Sequence, residues 1–332
     1  MSGPVPPQDS ADSASAAMRV SFVIPARNEE RYIGEALGSI HSFAPDPQQV
    51  EIVVVDNGST DRTVELARAG GAQVLVHPGG TVGSLRNVGV ARTSGEVVVF
   101  LDADVLLTPA WQQRIDTALS EFVRTPDIVT GSRCGISREA SWIERVWFKP
   151  LLAERANYIN SGHLITSRAL FDRLGGFDTS RETGEDSDFS NRARALGAAI
   201  VNDPALKVIH EGYPKKVSQF FRRERWHGQG NFQSWRTVLG SRIAPLTVAF
   251  LTCHLALVAA LAVGSAGGAA ACAAIVATIC LTSAFAKYRS TGASIPAATY
   301  LYYWYYAARS LALVDVLRSR LIGARSAPGR HR

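Results

Sequence analysis

Two aspartates, Asp102 and Asp104, follow directly on an apolar run at residues 97–101 that is rich in β-branched side chains. Such a run predicts a strand buried on both faces, and open α/β sheets bind their ligands at the carboxyl ends of the strands. A pair of hard oxygen ligands in that place suits Mg²⁺ or Mn²⁺ bridging a diphosphate. The alternative is that both aspartates only cap the turn ahead of Pro109.

Two earlier apolar runs also end in polar residues. Residues 20–25 lead into Arg27-Asn28-Glu29, and residues 51–55 lead into Asp56-Asn57 and a dense turn signal. A further strand is expected at 73–76, and apolar residues at helical spacing predict helices at 31–43, 63–69 and 82–93. Strands that alternate with helices in this way predict an α/β fold, with a doubly wound, mostly parallel sheet and a nucleotide crevice.

This crevice does not carry the glycine-rich signatures that hold phosphates through backbone amides. The position of GxGxxG after the first strand reads Pro25-Ala26-Arg27-Asn28-Glu29, and the segment 79–84 does not match GxxxxGK[ST]. The charge of a bound diphosphate must therefore be met by a metal and by side chains.

The formal net charge of +6 suits a partner that carries anionic lipid or phosphate. No recognition helix or zinc-finger spacing is evident, so we do not expect nucleic acid as a partner. The four cysteines form no CxxC or paired Cys/His spacing, which argues against a zinc site or a disulfide framework and favours a reduced, cytosol-facing body. Residues 1–17 are polar and aperiodic, and they predict a disordered leader.

Four motifs in order resemble those of family 2 glycosyltransferases with the GT-A fold. They are Val-Ile-Pro-Ala-Arg-Asn-Glu-Glu from Val23, Val-Val-Asp-Asn-Gly-Ser-Thr-Asp from Val54, Arg-Asn-Val-Gly-Val-Ala-Arg-Thr-Ser-Gly-Glu from Arg86, and Leu-Asp-Ala-Asp from Leu101. The resemblance runs from about Arg19 to Asn231. It implies transfer of one sugar from a nucleotide-diphosphate donor, of the UDP or GDP type, to an acceptor hydroxyl.

The same resemblance assigns candidate site residues. The donor nucleotide and its diphosphate would be bound by Pro25, Ala26, Arg27, Asn28, Glu29, Asp56, Asn57, Arg86, Asp102, Ala103, Arg225 and Trp226. The metal ligands would be Asp102, Asp104 and His210, and the catalytic pair would be Glu185 and Asp186, with Asp186 as the general base of an inverting displacement.

Each of these assignments has a plainer alternative. Asn28 could cap the following helix, and Arg86 could lie on a solvated helix face. Glu185 and Asp186 could simply begin a helix at 188–196, where acids favour the positive N-terminus. His210, after a short strand at 205–209, could be a satisfied structural residue.

Arg225-Trp226 matches the end of the QxxRW motif of processive family members, but Arg222 stands where that motif has glutamine. The departure weakens the case for a polymerising enzyme. The segment either closes over the diphosphate or belongs to a charged interfacial helix.

Two segments past Arg242 have the composition of transmembrane helices. Residues 243–263 and 269–286 carry no charge, and each approaches the ~20 residues that cross a bilayer. Basic residues flank the pair only on the outside, which places the catalytic domain in the cytoplasm at the inner or plasma membrane. The alternative is a buried hairpin in a soluble protein.

Two more segments are ambiguous in their relation to the membrane. Residues 295–317 hold a belt of tyrosines with Trp304, but Arg309 and Asp315 make a crossing costly, so the segment either spans or lies along the surface. Residues 142–152 form either a membrane-contacting helix or a core helix.

The predicted organisation is a leader at 1–17, a GT-A domain at 18–235, membrane-associated helices at 236–320 and a basic tail at 321–332. The expected partners are a nucleotide sugar, an acceptor glycan or lipid-linked acceptor, and the bilayer. The alternatives are a nucleotidyltransferase on a similar fold and a membrane scaffold with a vestigial site.

Overall fold

The structure is a computed structural model, and it describes residues 18–153, 157–232 and 235–325. The chain divides into two compact units, one formed by Met1–Ser137 with Glu154–Tyr213 and the other by Arg138–Ala153 with Pro214–Arg332. The predicted leader at 1–17 lies outside the described residues, as does the tail from 326.

The strands of the first unit form one large sheet and one small sheet. Within the described residues they are β1 (Val20–Ala26), β2 (Val50–Asp56), β3 (Gln73–Val76), β4 (Val97–Leu101), β5 (Val105–Leu107), β6 (Ile128–Gly131), β7 (Gly135–Ile136), β8 (His163–Ser167), β9 (Ala199–Asn202) and β10 (Val208–His210). The large sheet has seven strands in the order β3-β2-β1-β4-β8-β6-β9. Only β8 runs antiparallel to its neighbours β4 and β6, so the prediction of a mostly parallel sheet is confirmed.

The helices of the first unit lie between these strands. They are α1 (Ile33–Phe43), α2 (Thr63–Ala69), α3 (Val82–Val90), α4 (Pro109–Arg124), α5 (Arg168–Arg173) and α6 (Glu185–Ala195), with a 3₁₀ turn at Pro47–Gln49. Helix α3 ends three residues before its predicted end, because the amides of Arg92 and Thr93 bond three residues back instead of four. Helix α6 begins at Glu185, earlier than predicted, after Gly184 in the left-handed region at φ +81°.

The large sheet is buried on both faces. Phe22 and Ile24 of β1 pack with α1 and α4 on one side, whereas Val23 and the β4 residue Phe100 face the other side. Helix α3 lies very close to the sheet, since a Cβ on its Gly89 would come within 2.3 Å of Val23 Cγ1. This close packing fixes the helix that carries Arg86.

A buried histidine forms part of the polar interior of the first unit. His163 Nε2 accepts a hydrogen bond from Trp111 Nε1 at 2.9 Å, and its Nδ1 lies 3.0 Å from Ser132 Oγ, which donates to the Leu206 carbonyl. Burial lowers the pKa of His163 to about 3. The ring is therefore neutral in the folded protein.

The small sheet brings together segments that are far apart in sequence. Its order is β5-β10-β7, and β10 pairs antiparallel with β5 so that His210 lies opposite Val105. The predicted strand at 205–209 is thus found at Val208–His210. This pairing places His210 next to the residue that follows Asp104.

The second unit is helical throughout its described part. Its elements are a π-helical turn at Glu144–Phe148, 3₁₀ turns at Lys149–Ala153 and Gly230–Phe232, and the helices α7 (Val217–Gln229), α8 (Trp235–Gly240), α9 (Ile243–Ala262), α10 (Ala266–Tyr288) and α11 (Ile295–Arg325). Helices α9 and α10 have the length and composition to cross a membrane. Only 17% and 22% of their most apolar stretches are buried within the protein, which does not fit the alternative of a buried hairpin.

The segment at 142–152 packs mainly as a core element. The ring of Trp147 is buried against the rings of Phe220, Tyr288, Tyr302 and Tyr305, at centroid distances of 4.9–5.9 Å. Of its large apolar residues, Trp142 and Leu152 remain exposed. The core alternative therefore fits this segment better than a membrane-contacting helix.

Helix α11 is longer than predicted, because it continues through the first five residues of the expected basic tail. The two charges that were expected to make a crossing costly, Arg309 and Asp315, are paired with α7. Arg309 Nη2 lies 2.8 Å from Glu224 Oε2, and Asp315 accepts two hydrogen bonds from Arg225 at 2.7 and 2.8 Å. These ion pairs explain why the polar helix α7 belongs to the same compact unit as the apolar helices.

Candidate active site

The centre of the candidate site is a cluster of two carboxylates and one imidazole. One ligand atom each of Asp102, Asp104 and His210 lies within 4.8 Å of the other two. A tight turn after β4, closed by the Val105 amide bonding to the Asp102 carbonyl at 3.0 Å, brings the two aspartates out of strand geometry. The β5–β10 pairing supplies the histidine. Thr108 caps α4 through its own hydroxyl. The alternative that Asp102 and Asp104 serve only as caps ahead of this helix is therefore not required.

His210 is held in a position to bind a cation. Its Nδ1 lies 3.6 Å from Asp104 Oδ2 and is buried with no hydrogen-bond partner in the described part of the chain. Its ring stacks on Tyr213 at 4.1 Å with an interplanar angle of 6°. Two carboxylates with one imidazole form a donor set that fits Mn²⁺ well and Mg²⁺ acceptably.

Two glycines that the sequence analysis did not single out leave room for the aspartates. A Cβ on Gly212 would lie 1.8 Å from Asp104 Oδ2, and one on Gly162 would lie 2.8 Å from Asp102 Oδ2. The requirement is for close approach and not for an unusual backbone conformation. No local sequence pattern marks these positions, because their neighbours come from other segments.

Arg86 connects the cluster to the predicted catalytic pair. Its guanidinium is 2% exposed and lies between Asp102 Oδ1, at 2.6 Å, and Glu185 Oε1, at 2.9 Å. The alternative of a solvated helix face is therefore wrong. The predicted contact of Arg86 with phosphate stays a prediction, since two carboxylates already bind its guanidinium.

Glu185 and Asp186 lie in the first turn of α6, where the positive end of the helix favours acids. Asp186 is 8% exposed, and it accepts hydrogen bonds from the Ser187 amide at 2.7 Å and from Asn160 Nδ2 at 3.1 Å. Burial, followed by repulsion from Glu185, raises the pKa of Asp186 to about 7. A carboxylate with this pKa is suited to general base catalysis near neutral pH.

Three consecutive residues that sequence reasoning missed hold the acids in place. Ser161 Oγ donates to Glu185 Oε1 at 2.8 Å, Asn160 donates to Asp186, and the Gly162 carbonyl accepts from the Asp102 amide at 3.1 Å. The segment 160–162 thus contacts the cluster and the predicted catalytic pair at once.

The predicted nucleotide-binding residues of β1 and β2 lie side by side. Pro25 and Ala26 end β1, and Ala26 pairs in register with Asp56. Asp56 is 1% exposed, and one oxygen accepts hydrogen bonds from the Gly58 and Ser59 amides, both at 3.0 Å. Its visible role is to shape its own turn. Asn57 accepts a hydrogen bond from the Gly79 amide at 2.7 Å and ties that turn to the next loop.

The loop after β1 is tied to the same turn. Asn28 adopts φ +57° and accepts a hydrogen bond from the Thr60 amide at 2.9 Å, so it does not cap α1, which Tyr32 precedes. Arg27 is exposed. Burial, followed by repulsion from Asp104 and Asp102, raises the pKa of Glu29 to about 8.

The remaining predicted residues lie in different surroundings. Ala103 is buried between the two aspartates. Arg225 and Trp226 belong to α7 in the second unit, where Arg225 is engaged by Asp315 and Trp226 is 44% exposed. Their contact with the diphosphate stays a prediction.

A mostly parallel sheet with candidate metal ligands at its carboxyl edge, followed by an acidic pair at a helix start, is the arrangement of a glycosyltransferase of the GT-A type. The family comparisons agree. The Glycosyl transferase family 2 model matches residues 21–174, and the Glycosyl transferase family group 2 model matches residues 131–307, more than half of the 332-residue chain. The chain belongs to family 2 of the glycosyltransferases, enzymes that transfer a sugar from a nucleotide-sugar donor to an acceptor.

Individual relatives show the same assignment. Glycosyltransferase AglE of Haloferax volcanii is 25% identical over 231 residues, which cover 65% of this chain and 74% of AglE. An uncharacterized glycosyltransferase of Mycobacterium tuberculosis is 32% identical over 128 residues, 38% of this chain and 55% of that protein. Among solved structures, the mannosyltransferase PcManGT from Pyrobaculum calidifontis, in complex with GDP-Man and Mn²⁺, has a TM-score of 0.58 at 23% identity, over 91% of this chain and 88% of PcManGT. This likeness supports the GT-A fold.

Proposed function

We propose that the protein is a membrane-anchored, metal-dependent glycosyltransferase that moves one sugar from a UDP- or GDP-sugar to an acceptor hydroxyl with inversion. The observation that carries this proposal is the cluster of Asp102, Asp104 and His210, linked through Arg86 to the acidic pair at the start of α6. The family assignment favours this function over the nucleotidyltransferase and scaffold alternatives.

Asp102, Asp104 and His210 would hold Mn²⁺ or Mg²⁺, and the bound ion would neutralise the charge of the diphosphate leaving group. The chain prepares this site in two ways. Arg86 fixes the direction of the Asp102 carboxylate, and the stacking of Tyr213 fixes the His210 ring. Both contacts reduce the reorganisation that metal binding would require.

Asp186 is the group that would accept the proton of the acceptor hydroxyl. Its neighbour Glu185 is already engaged by Arg86 and Ser161, whereas Asp186 accepts hydrogen bonds from two neutral donors, the Ser187 amide and the Asn160 side chain. As the proton moves to Asp186, the hydroxyl oxygen forms a bond to the anomeric carbon on the face opposite the leaving diphosphate. Attack from that face inverts the configuration.

The donor follows from family likeness, and the neighbouring structure suggests where to begin. PcManGT holds GDP-Man with Mn²⁺, so GDP-mannose is the first donor to test and a UDP-sugar the second. The residues that would contact the nucleotide are those predicted at the ends of β1 and β2, with Arg225 and Trp226 proposed at the diphosphate.

Helices α9 and α10 support the proposal of a membrane anchor, and the basic residues at their outer ends support a cytoplasmic catalytic domain at the inner or plasma membrane. A lipid-linked acceptor, in preference to a soluble glycan, is favoured by a cleft of about 480 Å³ in the second unit. The cleft is lined by Val217, Ser218, Phe221, Arg222 and Trp304. Apolar walls with one exposed guanidinium suit a hydrocarbon chain that carries a phosphate.

The test is a transfer assay with the full-length protein in detergent. Labelled GDP-mannose or UDP-glucose is incubated with a membrane lipid extract, with Mn²⁺ or with EDTA, and the label is measured in the organic and aqueous phases. We expect Mn²⁺-dependent label in the organic phase that is lost in Asp104→Asn and Asp186→Asn. Label transferred only to water-soluble acceptors would refute the lipid acceptor, and equal turnover in EDTA would refute the metal requirement.

A further inference from the structure

We infer that Asn160 is a positioning residue for the reaction: its side-chain amide fixes the direction of the Asp186 carboxylate, so that the base meets the acceptor hydroxyl in one orientation. The inference rests on the proposed role of Asp186 as the base. Asn160 lies in the segment that leads into β8, away from every sequence motif that indicated the function.

The amide of Asn160 is used at both ends, which settles its orientation. Its Oδ1 accepts a hydrogen bond from the Gly162 amide at 2.8 Å, and its Nδ2 donates to Asp186 Oδ2 at 3.1 Å. The backbone N–H of Gly162 can only donate, so the oxygen must face Gly162 and the NH₂ group must face the carboxylate. The other carboxylate oxygen accepts from the Ser187 amide at 2.7 Å. Together the two donors hold the plane of the Asp186 carboxylate.

The two adjacent acids are held by two adjacent residues, but through different chemistry. Ser161 donates to Glu185, which also meets the Arg86 guanidinium at 2.9 Å. Asn160 donates to Asp186 as a neutral amide. A neutral donor orients a carboxylate with little loss of its basicity, whereas a guanidinium would stabilise the ionised form strongly. Asn160 therefore suits a group that must be both directed and able to take up a proton.

Exposure supports the same role. Asp186 is largely buried, whereas Asn160 is exposed, so an exposed residue contacts a buried carboxylate. A base must come within about 3 Å of the hydroxyl it deprotonates, and a misplacement of about 1 Å can cost roughly 100-fold in rate. Losing the Asn160 amide would leave the Ser187 amide at 2.7 Å as the donor to Asp186, so the plane of the carboxylate would be held less firmly.

The test variant is Asn160→Asp, which keeps the oxygen that accepts from Gly162 but exchanges the donor to Asp186 for an acceptor. Its matched control is Asn157→Ala, an exposed asparagine of the same segment whose carbonyl, and not its side chain, accepts a hydrogen bond from Arg194. Turnover of whichever of GDP-mannose and UDP-glucose the wild type uses is followed with Mn²⁺ across pH 5.5–9, a range chosen around the pKa of about 7 for Asp186.

For Asn160→Asp we expect kcat to fall about 10- to 100-fold, with KM for the donor within about twofold of wild type. The acidic limb of the kcat profile should move to higher pH, because a second carboxylate beside Asp186 disfavours its ionised form. Asn157→Ala should match the wild type. An unchanged kcat profile in Asn160→Asp, or a loss confined to KM, would overturn the inference and leave the proposed function standing.

A second measurement tests the contact without any turnover. The double variant Asn160→Asp/Asp186→Asn restores a donor–acceptor pair with its direction reversed. At pH 8 we expect Asn160→Asp alone to lower the melting temperature and the double variant to recover most of that loss. If the melting temperature of the double variant falls by as much as the two single variants together, the contact is overturned. This result can be obtained even if the protein turns over neither donor.

Discussion

Replacing Arg86 by methionine should be among the most damaging single changes in the first unit. The guanidinium is buried between Asp102 and Glu185, and removing it leaves two carboxylates without their counter-charge. Methionine keeps the helix propensity and much of the length of the side chain, so the change isolates the ion pairs. Removing one partner of a buried pair typically costs about 3–5 kcal/mol.

The expected magnitude lies at the lower end of that range. Glu185 is nearly buried, but the Asp102 side chain is 33% exposed, so water can compensate part of its charge. We therefore expect a loss of about 3 kcal/mol, which corresponds to a decrease in melting temperature of roughly 6–12 °C for a unit of this size. The melting temperature of Arg86→Lys should lie between those of the wild type and Arg86→Met, because one ammonium group cannot bind both carboxylates as the planar guanidinium does.

The assay is thermal unfolding of the full-length variants in detergent with EDTA, so that no cation replaces the missing charge. The matched control is Arg173→Met, which breaks an ion pair with Asp127 of similar length, 2.7 Å, but with side chains 48% and 39% exposed. An exposed ion pair contributes little to stability because water screens it, so this control should melt within a few degrees of the wild type. If Arg86→Met loses no more stability than Arg173→Met, the buried bridge does not stabilise the site as we reason.

Three further predictions concern single groups. Turnover should fall as the pH drops below about 7, because Asp186 must be ionised to act as a base; a kcat profile with no acidic limb near that value would contradict this. The free energy of unfolding should decrease as the pH falls below about 6.5, by up to about 1.4 kcal/mol per pH unit. The reason is that His163 takes up a proton in the unfolded chain but not in the folded protein, where its pKa is about 3. His163→Gln should weaken this pH dependence, measured by melting curves at pH 7 and pH 5. Gly212→Ala should weaken Mn²⁺ binding, measured by calorimetry, because its Cβ would displace the Asp104 carboxylate, whereas Gly38→Ala, with open space around its Cβ, should bind the ion normally.

Local pattern predicted most of the first half of the fold. The strands at 20–26, 50–56 and 97–101 and the helices between them follow from apolar runs and helical spacing, which act over a few residues. The errors occur at ends such as that of α3, where the choice between three- and four-residue hydrogen bonds depends on packing. Local pattern also predicted the pair of long apolar helices, because membrane-crossing length is itself a local property.

The site was predictable only in its residue types. Asp102 and Asp104 stand together in sequence, but Arg86 meets partners 16 and 99 residues away, and no pattern around Arg86 distinguishes a phosphate ligand from a bridge between two acids. His210 reaches Asp104 through the antiparallel pairing of β5 with β10, both of them three-residue strands. Strands of this length give too weak a local signal to fix their partners.

The Glu185-Asp186 dipeptide shows how neighbouring residues of like chemistry acquire different roles. Successive side chains on a helix point about 100° apart, so two adjacent acids at a helix start cannot face the same partners. Glu185 faces a guanidinium and a hydroxyl, whereas Asp186 receives only amide donors and is buried enough for its pKa to rise to about 7. The first acid therefore anchors the helix to the candidate metal cluster through Arg86, and the second remains basic. It follows that exchanging the two acids, as Glu185→Asp/Asp186→Glu, should lower both the melting temperature, which reports the anchoring, and kcat, which reports the base, although the exchange conserves the charge.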